Sequence, residues 1–271
     1  MDRRGIMKNH DIERRLGENL LTEKISFFRS NNLVTYHEHW HDFYEWIFYY
    51  NCEAVGCLNG SAYEIHDRTS VLLTPYDFHS TNVTQKNAPS FFIRVSFKKN
   101  ELPITIPETG YYLKETDLFF DYLLSAMEVA DISEREYLLV AMLTRMKKVG
   151  VPLVDNRKEI KADIIRVALR YMCNNFATAN LTNTAEICGV SRGYLSTLFT
   201  KYCNSTFTDA LSEIRMNYAK TAIRSTDKKL TEVAFDSGYN DFSNFLRYFK
   251  KCCGVTPTEY RKRYLDESSD M

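Results

Sequence analysis

The sequence predicts an α+β protein of two domains, an N-terminal β-barrel or sandwich with a helical hairpin and an all-α C-terminal domain. Three observations support this prediction. Residues 23–112 contain short β-branched and aromatic runs separated by turn residues, which is typical of strands. From residue 113 onward, apolar residues recur at helical spacing. A length of 271 residues suits two domains better than one.

The net charge of zero conceals two parts of opposite sign. Residues 158–265 contain 17 Lys and Arg against 10 Asp and Glu, a net charge of +7. Residues 1–157 have a net charge of −4, and residues 266–271 have a net charge of −3. Contact with nucleic-acid phosphates requires a basic domain, and residues 158–265 are basic. The net charge of zero for the whole chain therefore does not exclude a DNA partner.

Composition argues against membrane and secreted classes. No apolar run approaches the roughly 18 residues of a membrane helix, and the polar N-terminus is unlike a signal peptide. The seven cysteines show no Cys-x-x-Cys pair and no disulfide framework. We therefore expect a cytoplasmic protein with no membrane partner.

The elements follow in order along the chain. Residues 1–22 show no period and are expected to form an N-terminal arm, and residues 23–112 form the β-domain. Residues 113–149 are expected to form the helical hairpin, with Ser133 and Glu136 as a capping box for its second helix. Gly and Pro indicate a linker over residues 150–158, and residues 159–265 form the helical domain.

Two helix-turn-helix patterns stand out in the C-terminal domain. In residues 181–201, Thr182 or Asn183 can cap a short helix, Gly189 suits a tight turn, and Ser191 can cap a second helix. A helix, a short glycine turn and a second capped helix form the pattern that proteins use to read DNA.

The second pattern begins 49 residues later, over residues 230–251. Thr231 is the expected cap of its first helix, Gly238 ends that helix, and Asn240 or Asp241 caps the next. Phe242, Phe245 and Phe249 are expected to be buried. One such pattern is a weak signal, but two in tandem, both basic at the second helix, are much stronger.

Residues 181–263 resemble the DNA-binding domain of AraC/XylS-type bacterial transcriptional regulators. The matching stretches are Ser191–Ser196 with Leu198–Phe199, Arg215 with Ala219–Lys220, Val233–Ala234 with Ser237–Tyr239, Phe242–Ser243, Phe245, Arg247, Phe249–Lys251, Gly254–Pro257 and Tyr260–Arg261. Two positions depart from the family pattern. Thr200 replaces a basic residue, which is expected to weaken a contact of the first helix pair with the DNA backbone. Asn204 replaces a glycine, and Asn tolerates the left-handed conformation that glycine adopts.

The resemblance implies seven helices, with the second helix of each pair in successive segments of the major groove of double-stranded DNA. Base contacts would come from Arg192, Gly193, Ser196, Thr197, Ser243, Asn244 and Arg247. Arg247 has the guanidinium that pairs with guanine, whereas Ser and Thr bond several bases, so the first pair is expected to be less selective. Lys201, Lys250 and Lys251 are expected at phosphates. For each exposed basic residue, the alternative is a solvated surface charge.

A histidine cluster marks the β-domain. His37, His39 and His41 alternate, Glu45 follows, and His79 comes later. Alternate residues of a strand share one face, so the imidazoles of His37, His39 and His41 can converge with Glu45. The spacing resembles the metal motif of cupin barrels and the sensor domain that precedes the DNA-binding domain in the AraC/XylS family. The resemblance implies that the β-domain is a cupin-like barrel.

Three interpretations of this cluster stay open. His39, His41, Glu45 and His79 could hold a divalent metal, since imidazole and carboxylate suit zinc, nickel, iron or manganese. They could instead bind a small-molecule effector, a sugar or small metabolite, in an aromatic-lined cavity with Trp40 and Tyr44 among its walls. They could also form a structural polar cluster.

Together these features predict a sequence-specific, DNA-binding transcriptional regulator controlled by a small-molecule effector, and not an enzyme. The alternative is a metal-dependent cupin enzyme or metal sensor fused to a DNA-binding domain. The family resemblance implies a homodimer formed through the helical hairpin, and the interface positions to test are Leu118, Tyr122, Leu138, Met142 and Arg145. The alternative is that the hairpin packs against the β-domain. RNA polymerase is a further candidate partner.

Overall fold

The computed structural model describes residues 25–98, 102–153, 160–203 and 205–269. The predicted N-terminal arm, the end of the predicted linker and Asn204 lie outside these ranges. The chain divides into two compact units, an N-terminal unit ending at Lys158 and a C-terminal unit beginning at Glu159. No described helix is long and apolar enough to cross a membrane.

The N-terminal unit is built on one antiparallel sheet. Its strands are β1 (Ile25–Ser30), β2 (Tyr36–His39), β3 (Tyr44–Leu58), β4 (Ser61–Ile65), β5 (Ser70–Leu73), β6 (His79–Phe97), β7 (Tyr111–Leu113) and β8 (Val151–Pro152). The sheet order is β1-β6-β3-β5-β7-β8, with β2 also paired to β6 and β4 to β3. The expected N-terminal β-domain is confirmed, and its strands form an antiparallel sheet.

The long strands β3 and β6 form the centre of the sheet. Their pairing runs from Tyr44 opposite Phe97 to Leu58 opposite His79, with irregularities around Asn51, whose φ is 53°. The outer strands are short, and the pairings among the described strands form an open path instead of the closed barrel that the cupin resemblance implied. Closure would require the edge strands to pair with one another, and β1 and β8 do not.

The two faces of the sheet have different roles. On one face, Trp46, Phe48 and Phe97 are fully buried against a helical hairpin, α1 (Leu118–Val129) and α2 (Ile132–Val149). On the other face, alternate residues of the same strands, among them Glu45 and Arg94, surround a cavity. This alternation is the period of two that places successive strand side chains on opposite faces.

The hairpin and linker differ in detail from the prediction. Asp131, not Ser133, caps α2, and it forms a capping box with Glu134 because the helix begins at Ile132. Val151 and Pro152, expected in the linker, pair with β7 as a short edge strand.

The C-terminal unit contains seven helices among its described residues, as predicted. They are α3 (Ile160–Asn174), α4 (Leu181–Ile187), α5 (Arg192–Tyr202), α6 (Phe207–Ser225), α7 (Leu230–Asp236), α8 (Phe242–Cys253) and α9 (Pro257–Ser269). The second half of the unit packs around the fully buried Phe245 and Phe249 of α8 and Val233 of α7.

Candidate functional site

The first helix pair joins α4 to α5 through Gly189, whose φ of 65° is a left-handed conformation that glycine adopts without steric cost. Asn180 caps α4, not Thr182 or Asn183, since the helix begins at residue 181. Ser191 caps α5 as predicted, its side chain accepting a backbone N–H of the first turn. The buried face of α5 consists of Leu195, Leu198 and Phe199.

The second pair joins α7 to α8 through Gly238, whose φ is 83°. Asp241 caps α8 by accepting the backbone N–H of Ser243 at 3.0 Å. Thr231 lies inside α7 and is not its cap, because that helix starts at Leu230. Of the three phenylalanines expected to be buried, Phe245 and Phe249 are, and Phe242 is half-buried.

All ten residues expected to contact DNA lie on the second helix of a pair, which we call its reading helix. Helix α5 carries Ser196, which is half-buried, and the exposed residues Arg192, Gly193, Thr197 and Lys201. Helix α8 carries the exposed residues Ser243, Asn244, Arg247, Lys250 and Lys251. The Arg247 guanidinium donates to Asn244 Oδ1 at 2.8 Å, which holds it along the outer face of α8. The two reading helices thus present the predicted side chains outward.

The N-terminal unit contains a cavity on the inner face of the sheet. Its polar lining comes from His39, Glu45, Tyr49, His79, Thr81 and Arg94. The open volume is about 20 Å³, room for about one or two water molecules. As it stands, the cavity admits water or an ion, and a sugar-sized ligand would require its walls to move.

Three histidines of this region share one tautomer. The Nδ1 atoms of His39, His41 and His79 lie 2.7, 2.8 and 2.9 Å from the backbone carbonyl oxygens of His37, Phe43 and Asp77, respectively. Because a carbonyl oxygen only accepts, each Nδ1 carries a proton, and in the neutral form of such a ring Nε2 keeps its lone pair. Backbone carbonyls fix metal-binding histidines in this same way.

The histidine lone pairs converge on Glu45. Its Oε2 lies 3.5 Å from Nε2 of His41 and 3.5 Å from Nε2 of His79. These separations exceed the usual hydrogen-bond length of about 2.7–3.2 Å, but they approach the spacing of about 3.3 Å between ligands bound tetrahedrally at 2.0–2.1 Å. The donor set therefore fits a divalent cation. His39 lies beside it, with its ring centroid 4.2 Å from that of His79.

Arg94 is a part of this site that the sequence prediction missed. Its Nη1 donates to Glu45 Oε1 at 3.0 Å, and both side chains are almost fully buried. Burial raises the pKa of the Glu45 carboxyl, but its neighbours, of which the Arg94 guanidinium has the largest influence, outweigh burial and hold that pKa well below its usual range. An arginine in the apolar run Phe91–Phe97 was the available signal, since a buried guanidinium requires a carboxylate partner.

His39 is a second group of this region whose pKa is shifted, and here burial lowers the pKa because the charged form is the protonated one. Burial, and then the neighbouring His79, lower the pKa of His39 to about 3. The imidazole is therefore neutral near pH 7, the form that accepts a hydrogen bond or binds a cation.

Two predicted wall residues lie away from the cavity lining. Tyr44 is on the opposite face of β3, where its ring stacks on Phe97 in the core beneath the hairpin. Trp40 precedes β3 and contacts Tyr76, with ring centroids 6.3 Å apart. Strand alternation places Glu45, and not Tyr44, toward the cavity.

Known proteins match the helix pairs most clearly. A family described as a helix-turn-helix domain matches residues 184–263. An uncharacterized HTH-type transcriptional regulator in the cgkA 5′ region of Pseudoalteromonas carrageenovora is 31% identical over 115 residues, covering 40% of this chain and 68% of that protein. The chain belongs to the AraC/XylS family of transcriptional regulators. It is accordingly a DNA-binding transcriptional regulator.

Two further proteins align with larger shares of this chain. The arabinose operon regulatory protein of Escherichia coli is 24% identical over 193 residues, which cover 68% of this chain and 61% of that protein. The crystal structure of ToxT from Vibrio cholerae aligns over 88% of this chain and 96% of that chain, with 13% identity and a TM-score of 0.46.

Proposed function

We propose that this regulator recognises a specific operator through α5 and α8, and that a ligand bound in the cavity of the N-terminal unit controls it. The observation that carries the DNA proposal is the exposure of polar and basic side chains along both capped reading helices. The basic charge of the C-terminal unit supports phosphate contacts by Lys201, Lys250 and Lys251. The protein would act in the cytoplasm and has no catalytic role.

Arg247 is expected to set one base pair of the operator. Arg247→Ala should lower discrimination at that position by about 1–3 kcal/mol, because a bidentate contact to guanine is lost. Binding of the full chain to operators carrying each base at that position measures this. Lys250→Ala is the control. It should weaken binding to all DNA sequences alike and reduce the salt dependence of that binding. Full discrimination in Arg247→Ala would refute the assignment.

A small-molecule effector is the first candidate for the cavity ligand. The polar groups at the cavity and the relationship to a regulator named for the arabinose operon support a sugar or small metabolite. His39, His41, Glu45 and His79 would supply hydrogen bonds, whereas the positions of Trp40 and Tyr44 favour a supporting role. A thermal-shift panel of sugars and small metabolites tests this, because a ligand that binds the folded state raises Tm.

A divalent metal is the second candidate, favoured by the converging lone pairs of His41, His79 and Glu45. When bound, the ion would supply charge and fixed coordination that tie β3 and β6 to the segment before β3. We expect about one equivalent of zinc, nickel, iron or manganese in protein purified without chelator, and its loss in His41→Ala. His37→Ala is the control. Metal-free protein that takes up none of these ions on titration would eliminate this candidate.

The hairpin supports a homodimer. Leu118 and Tyr122 are 65% and 73% exposed on one face of α1. Met142, which was expected at the interface, is fully buried in the core, and Arg145 pairs with Asp117 at 2.6 Å. Replacing both Leu118 and Tyr122 with Ser should convert a dimer to a monomer in sedimentation experiments without loss of fold. An unchanged mass would place the interface elsewhere. RNA polymerase stays a candidate partner of the bound regulator.

A further inference from the structure

The two reading helices have equivalent outer rows. Helix α5 begins at Arg192 and α8 at Phe242, 50 residues later. Positions four and seven residues apart lie along one face of a helix. Gly193, Thr197 and Thr200 therefore form a row on α5, and their counterparts on α8 are Ser243, Arg247 and Lys250. Each row lies opposite the buried face of its helix.

The chemistry of the two rows differs. The row on α8 presents a hydroxyl, a guanidinium and an ammonium group. On α5, Thr197 Oγ1 donates to the Gly193 carbonyl at 3.0 Å, and Thr200 Oγ1 donates to the Ser196 carbonyl at 3.2 Å. Both threonine hydroxyl protons are thus used within the helix. The α5 row offers methyl groups and, at Gly193, bare backbone.

The fold does not require glycine at position 193. A Cβ added there would meet no atom within 4 Å, and Gly193 is helical, without the left-handed conformation of Gly189. Glycine weakens a helix relative to alanine, so it brings no local stability. What glycine does provide is close approach of the helix backbone to another surface.

We propose that the reading helices divide recognition of the operator between them, α5 reading groove shape and thymine methyl groups by close approach at Gly193. Helix α8 reads base edges through hydrogen bonds from Ser243 and Arg247. This inference rests on the proposed DNA contacts of both helices. Apolar contact with the thymine methyl is a feature of the major groove that the threonine methyl groups of this row can read.

Gly193→Ala separates this role from a structural one. In the full chain, bound to an operator selected from random DNA, the variant should lose at least tenfold in affinity while its Tm stays equal or rises. Thr208→Ala, at the exposed second position of α6, is the matched control and should keep the affinity. Wild-type affinity in Gly193→Ala, or a Tm several degrees lower, would overturn the inference.

Thymine-to-uracil replacement tests the methyl contact. Arg247→Ala identifies the segment that α8 reads, and the remaining segment is that of α5. Exchanging dT for dU there should weaken binding several-fold, and the same exchange should have little effect in the α8 segment. Equal effects in both segments, or none, would overturn the inference. If the wild-type chain selects no sequence at all, the proposed operator recognition itself fails.

Discussion

Gly238→Ala is expected to unfold the second helix pair. The φ of 83° costs an L-residue about 1–2 kcal/mol, and an added Cβ would lie 2.6 Å from the Ala177 carbonyl oxygen and 2.8 Å from its Cα. That overlap is with backbone, and Arg215 holds the same segment by donating to the carbonyls of Phe176 and Ala177. Together, strain and overlap should lower the free energy of unfolding by about 3–5 kcal/mol.

Gly189→Ala is the matched control for that substitution. Gly189 has nearly the same conformation, with φ of 65°, but an added Cβ would meet nothing within 4 Å. Gly189→Ala should therefore lower the free energy of unfolding by only about 1–2 kcal/mol. Denaturant unfolding followed by circular dichroism measures both variants. Tryptophan fluorescence gives an internal reference, because Trp40 and Trp46 belong to the N-terminal unit. Equal costs for the two variants would contradict the steric argument.

Arg94→Met is expected to destabilise the N-terminal unit by about 3–5 kcal/mol, because it leaves the Glu45 carboxylate buried without its cation. Removing the charge on both sides in Arg94→Met/Glu45→Gln should recover much of that loss. Unfolding monitored by the fluorescence of Trp46, the neighbour of Glu45 on β3, is the measurement. A loss below about 1 kcal/mol in the single variant would show that the pair is not the main stabiliser of this cluster.

The same pair makes the stability of the N-terminal unit depend on pH. Since the folded pKa of Glu45 lies below its unfolded value, the pair stabilises the fold above about pH 4.3. That contribution is lost as the pH falls toward the folded pKa. Arg94→Met removes the main group that holds this pKa down, so the gap in stability between wild type and variant should narrow on acidification.

Local signals predicted the C-terminal unit well. Helix caps and turn glycines act within a few residues, so Ser191, Asp241, Gly189 and Gly238 could be assigned from neighbouring sequence. The errors lie at two helix starts, where Asn180 and Lys229 precede the residues that were expected to cap, and at Phe242, which is half-buried. Several polar residues stood near each start, and sequence alone does not decide among them.

Long-range pairing limited the prediction of the N-terminal unit. Strand alternation predicted that His41 and Glu45 converge, and a resemblance added His79, but Arg94 lies 49 residues from its partner Glu45. The register of β3 against β6 decides which face of β3 carries Tyr44 and which carries Glu45. A shift of the register by one residue would exchange the two faces. Barrel closure likewise depends on whether distant edge strands meet, which no local pattern specifies.

Selection of bound sequences from random double-stranded DNA tests the central claim, that two reading helices recognise one operator. With the full chain, we expect a site of two specific segments about one helical turn, roughly 10 base pairs, apart. Arg247→Ala should relax one segment and Gly193→Ala should weaken the other. Enrichment of a single segment, or of no sequence above the starting pool, would contradict recognition by both helices.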